Sequence, residues 1–329
     1  MSDDTDGGTP TLAGLGEFGV IDRLVADRRQ PSSVVVGPGD DAAVVTAADG
    51  RTVVSTDMLV EGRHFRLDWS TPHDIGRKAI AQNAADIEAM GAVATAFVVS
   101  FGAPGDTAAE DALALSDGMW AEADRSGAGI AGGDLVTAPQ WVISVTALGD
   151  LAGRAPVLLR GARPGDTLAV AGDLGRSAAG YQVCLTGAGR VDDSGSEADF
   201  EDLRRRHLVP EVPYGQGRAA ADAGATAMTD VSDGLIADLG HIADASGVGI
   251  DVATAALAAD HDALAALATV TGHDPWAWVL GGGEDHALVA TFPAAPPAGW
   301  RRIGVVLDGP ARVLVDGSAW RGSPGWQSF

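Results

Sequence analysis

Aspartate carries most of the chemistry this sequence could perform. Asp40 and Asp41 follow the turn Gly37-Pro38-Gly39, Asp57 closes Ser55-Thr56-Asp57, and Asp86 comes three residues after Asn83. Asp134 follows Gly132-Gly133, and Asp230 and Asp233 bracket Val231-Ser232. Each is expected beside a strand end, on a helix with an apolar face, or after a glycine pair. Taken singly, two acids on a turn more often mean a solvated loop, and Ser232 and Asp233 are good helix caps. Taken together, carboxylates that converge repel one another and raise one another's pKa unless a cation holds them. The simplest such cation is a hard one with oxygen ligands, magnesium above all.

An acidic, metal-binding set spread along the whole chain matches the handling of polyphosphate, where one group needs the cations and the other brings the charge. Phosphoryl transfer depends on positioning and on cations bridging phosphate oxygens, with little covalent work for the protein. Lys78 is the only lysine, so that charge must come from magnesium and arginine. The usual frameworks are absent: there is no G-x-x-x-x-G-K-[ST], and no H-R-D with D-F-G. Residues 14–19 and 127–132 match G-x-G-x-x-G by letter, but neither follows a strand and opens a helix, so neither reads as a dinucleotide fingerprint.

The elements that would position these acids can be read from periodicity and punctuation. A strand over 52–59 ends in Ser55-Thr56-Asp57. A helix from Thr71 or Ser70 to about Met90 has Pro72 in its first turn and stops at Gly91. It carries Asn83 and Asp86 on a stripe with apolar residues, while Lys78 reads as a surface lysine. Strands over 94–101, 129–136 and 141–148 and a helix over 108–125 complete a first α/β unit, with a Gly- and Pro-containing crossing at 149–165. Beyond it come a strand over 166–171, a helix to 185, a polar excursion at 187–202, and a strand over 225–231. A helix with apolar Leu235, Leu239 and Ile242 follows at once. Gly281-Gly282-Gly283-Glu284-Asp285 leads into a last group of strands, its three glycines implying close backbone approach to a ligand; the Gly132-Gly133 pair reads the same way.

A length of 329 residues favours two domains, and 22 basic against 45 acidic residues give a net charge of −23. That balance argues against a nucleic-acid partner, which requires a basic surface. One cysteine, Cys184, excludes an intrachain disulfide and fits a reducing compartment. No signal peptide and no apolar run of membrane-spanning length is evident, so a cytoplasmic protein is expected. The expected organisation is a lead over 1–13, an N-terminal domain over 14–150 and a C-terminal α/β domain over 151–329.

Assembled in order, GDDAAVV from Gly39, STDMLVEGRHF from Ser55, the Asn83 and Asp86 helix ending in AMGA, GGD at Gly132, DVSDGL at Asp230 and GGGED at Gly281 resemble the thiamine-monophosphate kinase family. That family sits in the aminoimidazole ribonucleotide synthetase-like superfamily, and the likeness covers nearly the whole chain. It implies a two-domain α/β fold whose N-terminal sheet domain dimerises, with ATP in a cleft between the domains. It also implies magnesium-assisted transfer of the ATP γ-phosphoryl group to thiamine monophosphate, giving thiamine diphosphate, with several ions in the site. By motif, Asp41, Ser55, Thr56, Asp57, Asp86, Asp134, Asp230 and Asp233 would hold magnesium, with Asp40 as a further candidate. Asp41, Gly133, Asp134, Arg160 and Ser232 would contact ATP. His64, Glu284 and Trp326 would face the thiamine moiety, although the tail Gly325-Trp326-Gln327-Ser328-Phe329 departs from the Gly-aromatic-x-His-Phe expected there. Two other readings stay open: another ATP-dependent synthetase of the superfamily, and a noncatalytic nucleotide- or magnesium-binding regulator.

Overall fold

The computed structural model describes residues 10–38, 43–188 and 200–326. Asp40 and Asp41, and most of the polar excursion at 187–202, lie outside the described residues. The chain divides into two compact units. Met1–Thr46, Thr56–Ile80 and Thr95–Thr146 belong to the first, and Ala47–Ser55, Ala81–Ala94 and Ala147–Phe329 to the second.

The elements running through the first part of the chain are α1 (Leu12–Val25), β1 (Val34–Val36), β2 (Val44–Val45), β3 (Val53–Val60), α2 (Pro72–Ala89), β4 (Val93–Ala103), α3 (Ala109–Ser126), β5 (Gly129–Thr137) and β6 (Val142–Asp150). Four of these strands form a sheet in the order β3-β6-β4-β5. β4 and β5 are parallel, which their crossover helix α3 requires, and the register sets Ser100 opposite Asp134. α2 starts where its sequence says: Thr71 and Asp74 exchange hydrogen bonds as a capping box, with Pro72 in the first helical position. Ile75, Ala79 and Ile80 of α2 are fully buried. α2 and α3 meet through two glycines, since a Cβ on Gly76 would stand 2.0 Å from the Leu115 carbonyl oxygen and one on Gly118 would stand 1.9 Å from that of His73. Neither position admits a side chain at that helix spacing.

The second unit is built on β7 (Thr167–Ala171), α4 (Arg176–Thr186), α5 (Glu201–Leu208), α6 (Gln216–Asp222), β8 (Ala227–Asp230), α7 (Leu235–Ser246), β9 (Gly249–Val252), α8 (Ala258–Thr271), α9 (Pro275–Gly281), β10 (Leu288–Phe292), β11 (Arg301–Leu307), β12 (Arg312–Val315) and β13 (Ser318–Ala319). Its seven-stranded sheet has the order β13-β12-β9-β11-β7-β10-β8 and is antiparallel except where β12 meets β9. Every residue of β10 is buried, because the sheet is covered on both faces. One face packs Leu168, Val170 and Val289 against Leu235, Leu239 and Ile242 of α7, and the other packs Ala169, Leu288 and Phe292 against Ala220 and Trp300. Each fully buried leucine or isoleucine contributes about 1.5–3 kcal/mol, so α7 is held firmly and its first turn with it. Among the described residues no helix is long and apolar enough to cross a membrane.

Candidate active site

In the second unit the site grows from the end of β8. Asp230 is its last residue and is buried. The segment 284–287 continues the pairing beyond the β8–β10 register: Val231 N–H donates to the Ala287 carbonyl at 2.7 Å, His286 N–H to Val231 at 2.9 Å, and Glu284 N–H to Ser232 at 2.7 Å. The backbone of Glu284 and of His286 lies in the left-handed region, at φ 63° and 52°. Two such non-glycine residues two positions apart mark a strained segment, a feature that concentrates at functional sites. The turn after Asp230 is then fixed by Asp238, whose carboxylate accepts the N–H of Asp233 at 3.1 Å and that of Gly234 at 3.0 Å. Helix α7 has no side-chain N-cap of its own, so the capping role foreseen for Ser232 and Asp233 falls to Asp238 from inside the helix. The tail closes the same turn, with Trp326 N–H on the Asp233 carbonyl at 2.9 Å and Ala237 N–H on that of Pro324 at 3.0 Å.

The glycine run before Glu284 is required by this packing. A Cβ on Gly281, Gly282 or Gly283 would lie 2.3 Å from the Ser323 carbonyl oxygen, 2.3 Å from that of Trp278 and 2.5 Å from that of Ser232. Asp285 turns away from the site and accepts N–H groups of Gly175 at 2.5 Å and Ser177 at 2.8 Å, anchoring the segment to the start of α4.

Asp230 is paired with an imidazole. His286 Nδ1 lies 2.9 Å from Asp230 Oδ2 in a buried pair. Burial opposes a charge on this ring, but its bond to Asp230 and the nearby charges of Asp230, Glu284 and Asp86 outweigh that and raise its pKa above the ordinary value. Asp86 in turn accepts the Ser55 hydroxyl at 2.6 Å. Burial, followed by the charges of Asp230 and Asp233, pushes the Asp238 carboxyl up to about 7. Oxygen donors at Ser55, Asp86, Asp230 and Asp233 fit a hard dication such as magnesium. Asp233, Asp238 and His241 also bring one ligand atom each within 4.8 Å of one another. Arg160 stands exposed on a loop pinned to α7 by the N–H groups of Gly161 and Ala162 on the Ser246 hydroxyl, and Trp326 is 62% exposed.

The first unit holds the remaining candidates. Thr56 donates its hydroxyl to the Val145 carbonyl at 2.9 Å, and Asp57 follows it on β3, exposed. Asp134 lies exposed on β5 with Oδ1 accepting the N–H of Leu135. β3 and β5 are the two edges of the four-stranded sheet, so Asp57 and Asp134 stand three strand spacings apart, roughly 14 Å, too far to share one ion. Strand pairing requires Gly133: a Cβ there would meet the Val99 carbonyl oxygen at 2.0 Å. His64 Nδ1 accepts the Val60 N–H at 2.9 Å, which leaves the proton of a neutral ring on Nε2. Lys78 is not a surface lysine. It is 2% exposed, and its ammonium donates to the His64 carbonyl at 3.0 Å.

His286, Asp238 and Asp285 were not singled out from the sequence. The signal for His286 was its place directly after Gly-Gly-Gly-Glu-Asp; Asp238 reads as an ordinary polar position of α7, and only the turn's geometry reveals what it binds.

Residues 39–151 match the AIR synthase related protein N-terminal domain family, and residues 163–314 match the AIR synthase related protein C-terminal domain family. Fold and site together thus define an AIR synthase related protein. A thiamine-monophosphate kinase of Mycobacterium tuberculosis is 70% identical over 321 residues, covering 98% of this chain and 94% of the relative. That of Corynebacterium glutamicum is 44% identical, covering 97% and 95%. The chain belongs to the thiamine-monophosphate kinase family of enzymes. Among solved structures, the thiamine-monophosphate kinase of Stenotrophomonas maltophilia superposes with a TM-score of 0.77 at 32% identity, covering 92% of this chain and 95% of that one. AaThiL complexed with AMPPCP and TMP gives 0.74 at 30% identity, covering 96% and 97%.

Proposed function

We propose that this chain transfers the γ-phosphoryl group of ATP directly to the phosphate of thiamine monophosphate, with magnesium, and so makes thiamine diphosphate. The observation that carries the reading is the buried pair of Asp230 and His286 at the head of the turn that Asp238 holds. Support comes also from the relative at 70% identity and from the similar chain that takes up AMPPCP and TMP together.

Asp41, Ser55, Thr56, Asp57, Asp86, Asp134, Asp230 and Asp233 hold the metal, and the separation of Asp57 from Asp134 calls for more than one ion. Magnesium held by these residues would supply the positive charge that phosphoryl transfer requires. Gly133, Asp134, Arg160 and Ser232 contact ATP, Arg160 through a planar fork that suits phosphate oxygens. His64, Glu284 and Trp326 face the thiamine moiety, His64 with Nε2–H as a donor. No general base is assigned, because the acceptor phosphate oxygen is already deprotonated at neutral pH; alignment and charge neutralisation carry the step. Met58 and Val136, 51% and 59% exposed on the first unit's sheet strands, suit a homodimer contact through that sheet.

The test is an assay coupled to ADP release with thiamine monophosphate as acceptor, with and without magnesium, with the product identified by chromatography. Magnesium-dependent thiamine diphosphate is expected. ATP binding with no such product overturns the substrate assignment and leaves the fold.

A further inference from the structure

We propose that His286 is a positioning residue for the metal site, holding the Asp230 carboxylate by one oxygen so that the other is presented to the cation. The inference rests on Asp230 being a metal ligand, and it adds a residue that no motif of the sequence assigned.

Three observations carry it. First, the contact is built into the sheet. Asp230 pairs with Leu288 across β8 and β10, and the N–H of His286 is spent on the Val231 carbonyl, so ring and carboxylate are fixed from two adjacent, buried strands. Second, the bond runs from Nδ1 to Oδ2 at 2.9 Å, and a carboxylate can only accept, so Nδ1 carries a proton and Asp230 keeps Oδ1 for another partner. Third, the ring is reached only through a left-handed backbone at φ 52°, two residues after Glu284 at φ 63°. A histidine that merely filled the core would need neither that conformation nor a carboxylate partner; a backbone carbonyl would satisfy it.

The physical need is orientational: the bond from His286 Nδ1 fixes the rotamer of the Asp230 carboxylate, which could turn without that donor. Hydrogen-bond partners of ligating groups typically change metal affinity by about 10–100-fold when removed. Asparagine is the conservative replacement, because its side-chain N–H can reach a carboxylate and it is among the residues that tolerate positive φ.

The experiment is direct titration of the full chain with Mn2+, read by electron paramagnetic resonance, on wild type, His286→Leu, His286→Asn and Asp230→Asn, with circular dichroism confirming the fold of each. His286→Leu is expected to weaken binding at the tightest site about tenfold or more, with His286→Asn recovering most of it. His286→Leu combined with Asp230→Asn should be little weaker than Asp230→Asn alone, as for two residues acting through one bond. If His286→Leu fails to fold, the His286→Asn comparison and the Asp230→Asn background carry the test: a His286→Asn chain that binds as loosely as Asp230→Asn overturns the proposal. Unchanged binding in folded His286→Leu overturns it alone. A wild-type chain that takes up no Mn2+ overturns it together with the metal assignment.

Discussion

Asp238 grips the backbone of Asp233 from inside the helix that follows it, and the next N–H, that of Gly234, falls to the same oxygen. The carboxylate stands in for the missing cap of α7, and the turn it fixes carries two of the proposed metal ligands. Asp238→Ala leaves two N–H groups in a mostly buried turn without their acceptor. It should cost about 1–3 kcal/mol in a urea unfolding series and lower kcat/KM more than stability alone accounts for. Asp238→Asn, which keeps one acceptor oxygen, should fall between.

Asp57→Asn and Asp230→Asn should fold as wild type and lose turnover. The shape of the loss is diagnostic: residual activity should no longer rise with magnesium concentration in the way that of wild type does. Full activity in either variant, measured as thiamine diphosphate formed, removes that residue from the metal set.

Burial pushes the Asp285 carboxyl up to about 7 from an ordinary 3.8, against the pull of the Ser177 and Gly175 N–H groups. The unfolded chain releases this proton near pH 4 and the folded chain only near 7, so the folded state binds more protons in between. Its contribution is complete at the acid end of that window and is lost as pH rises through it. Asp285→Asn removes the titrating group, and thermal melts across the window should show a flatter dependence of Tm on pH than wild type.

Lys78→Met removes the ammonium that holds the His64 carbonyl. The KM for thiamine monophosphate should rise several-fold while the KM for ATP stays nearly fixed, because the first unit's His64 segment loosens and the second unit's turn does not. Steady-state kinetics in both substrates decide it.

Much of the architecture was legible. The caps and glycine stops of α2, the alternation of β6 and the apolar stripe of α7 each follow local rules that tertiary packing did not override. Helices α5, α6, α8 and α9 and strand β9 were not delimited, since Ala-rich segments such as 258–271 carry weak periodicity. The acids of the site were visible because their types and spacing are local. What was hidden is contact between distant segments. The glycines at 281–283 also admit the chain's own carbonyls, a packing demand that no local rule shows. Lys78 looked solvated because its burial depends on α2 packing. His286 acquires meaning only when β10 is laid beside β8.

The burial of Lys78 reaches beyond catalysis. It is the sole lysine among 329 residues and is 2% exposed, so apart from any terminal amine the folded chain offers almost nothing to reagents that acylate or crosslink amines. Its ε-amine becomes a reporter with a single side-chain address: labelling at that position in the native state would count openings of the first unit one molecule at a time.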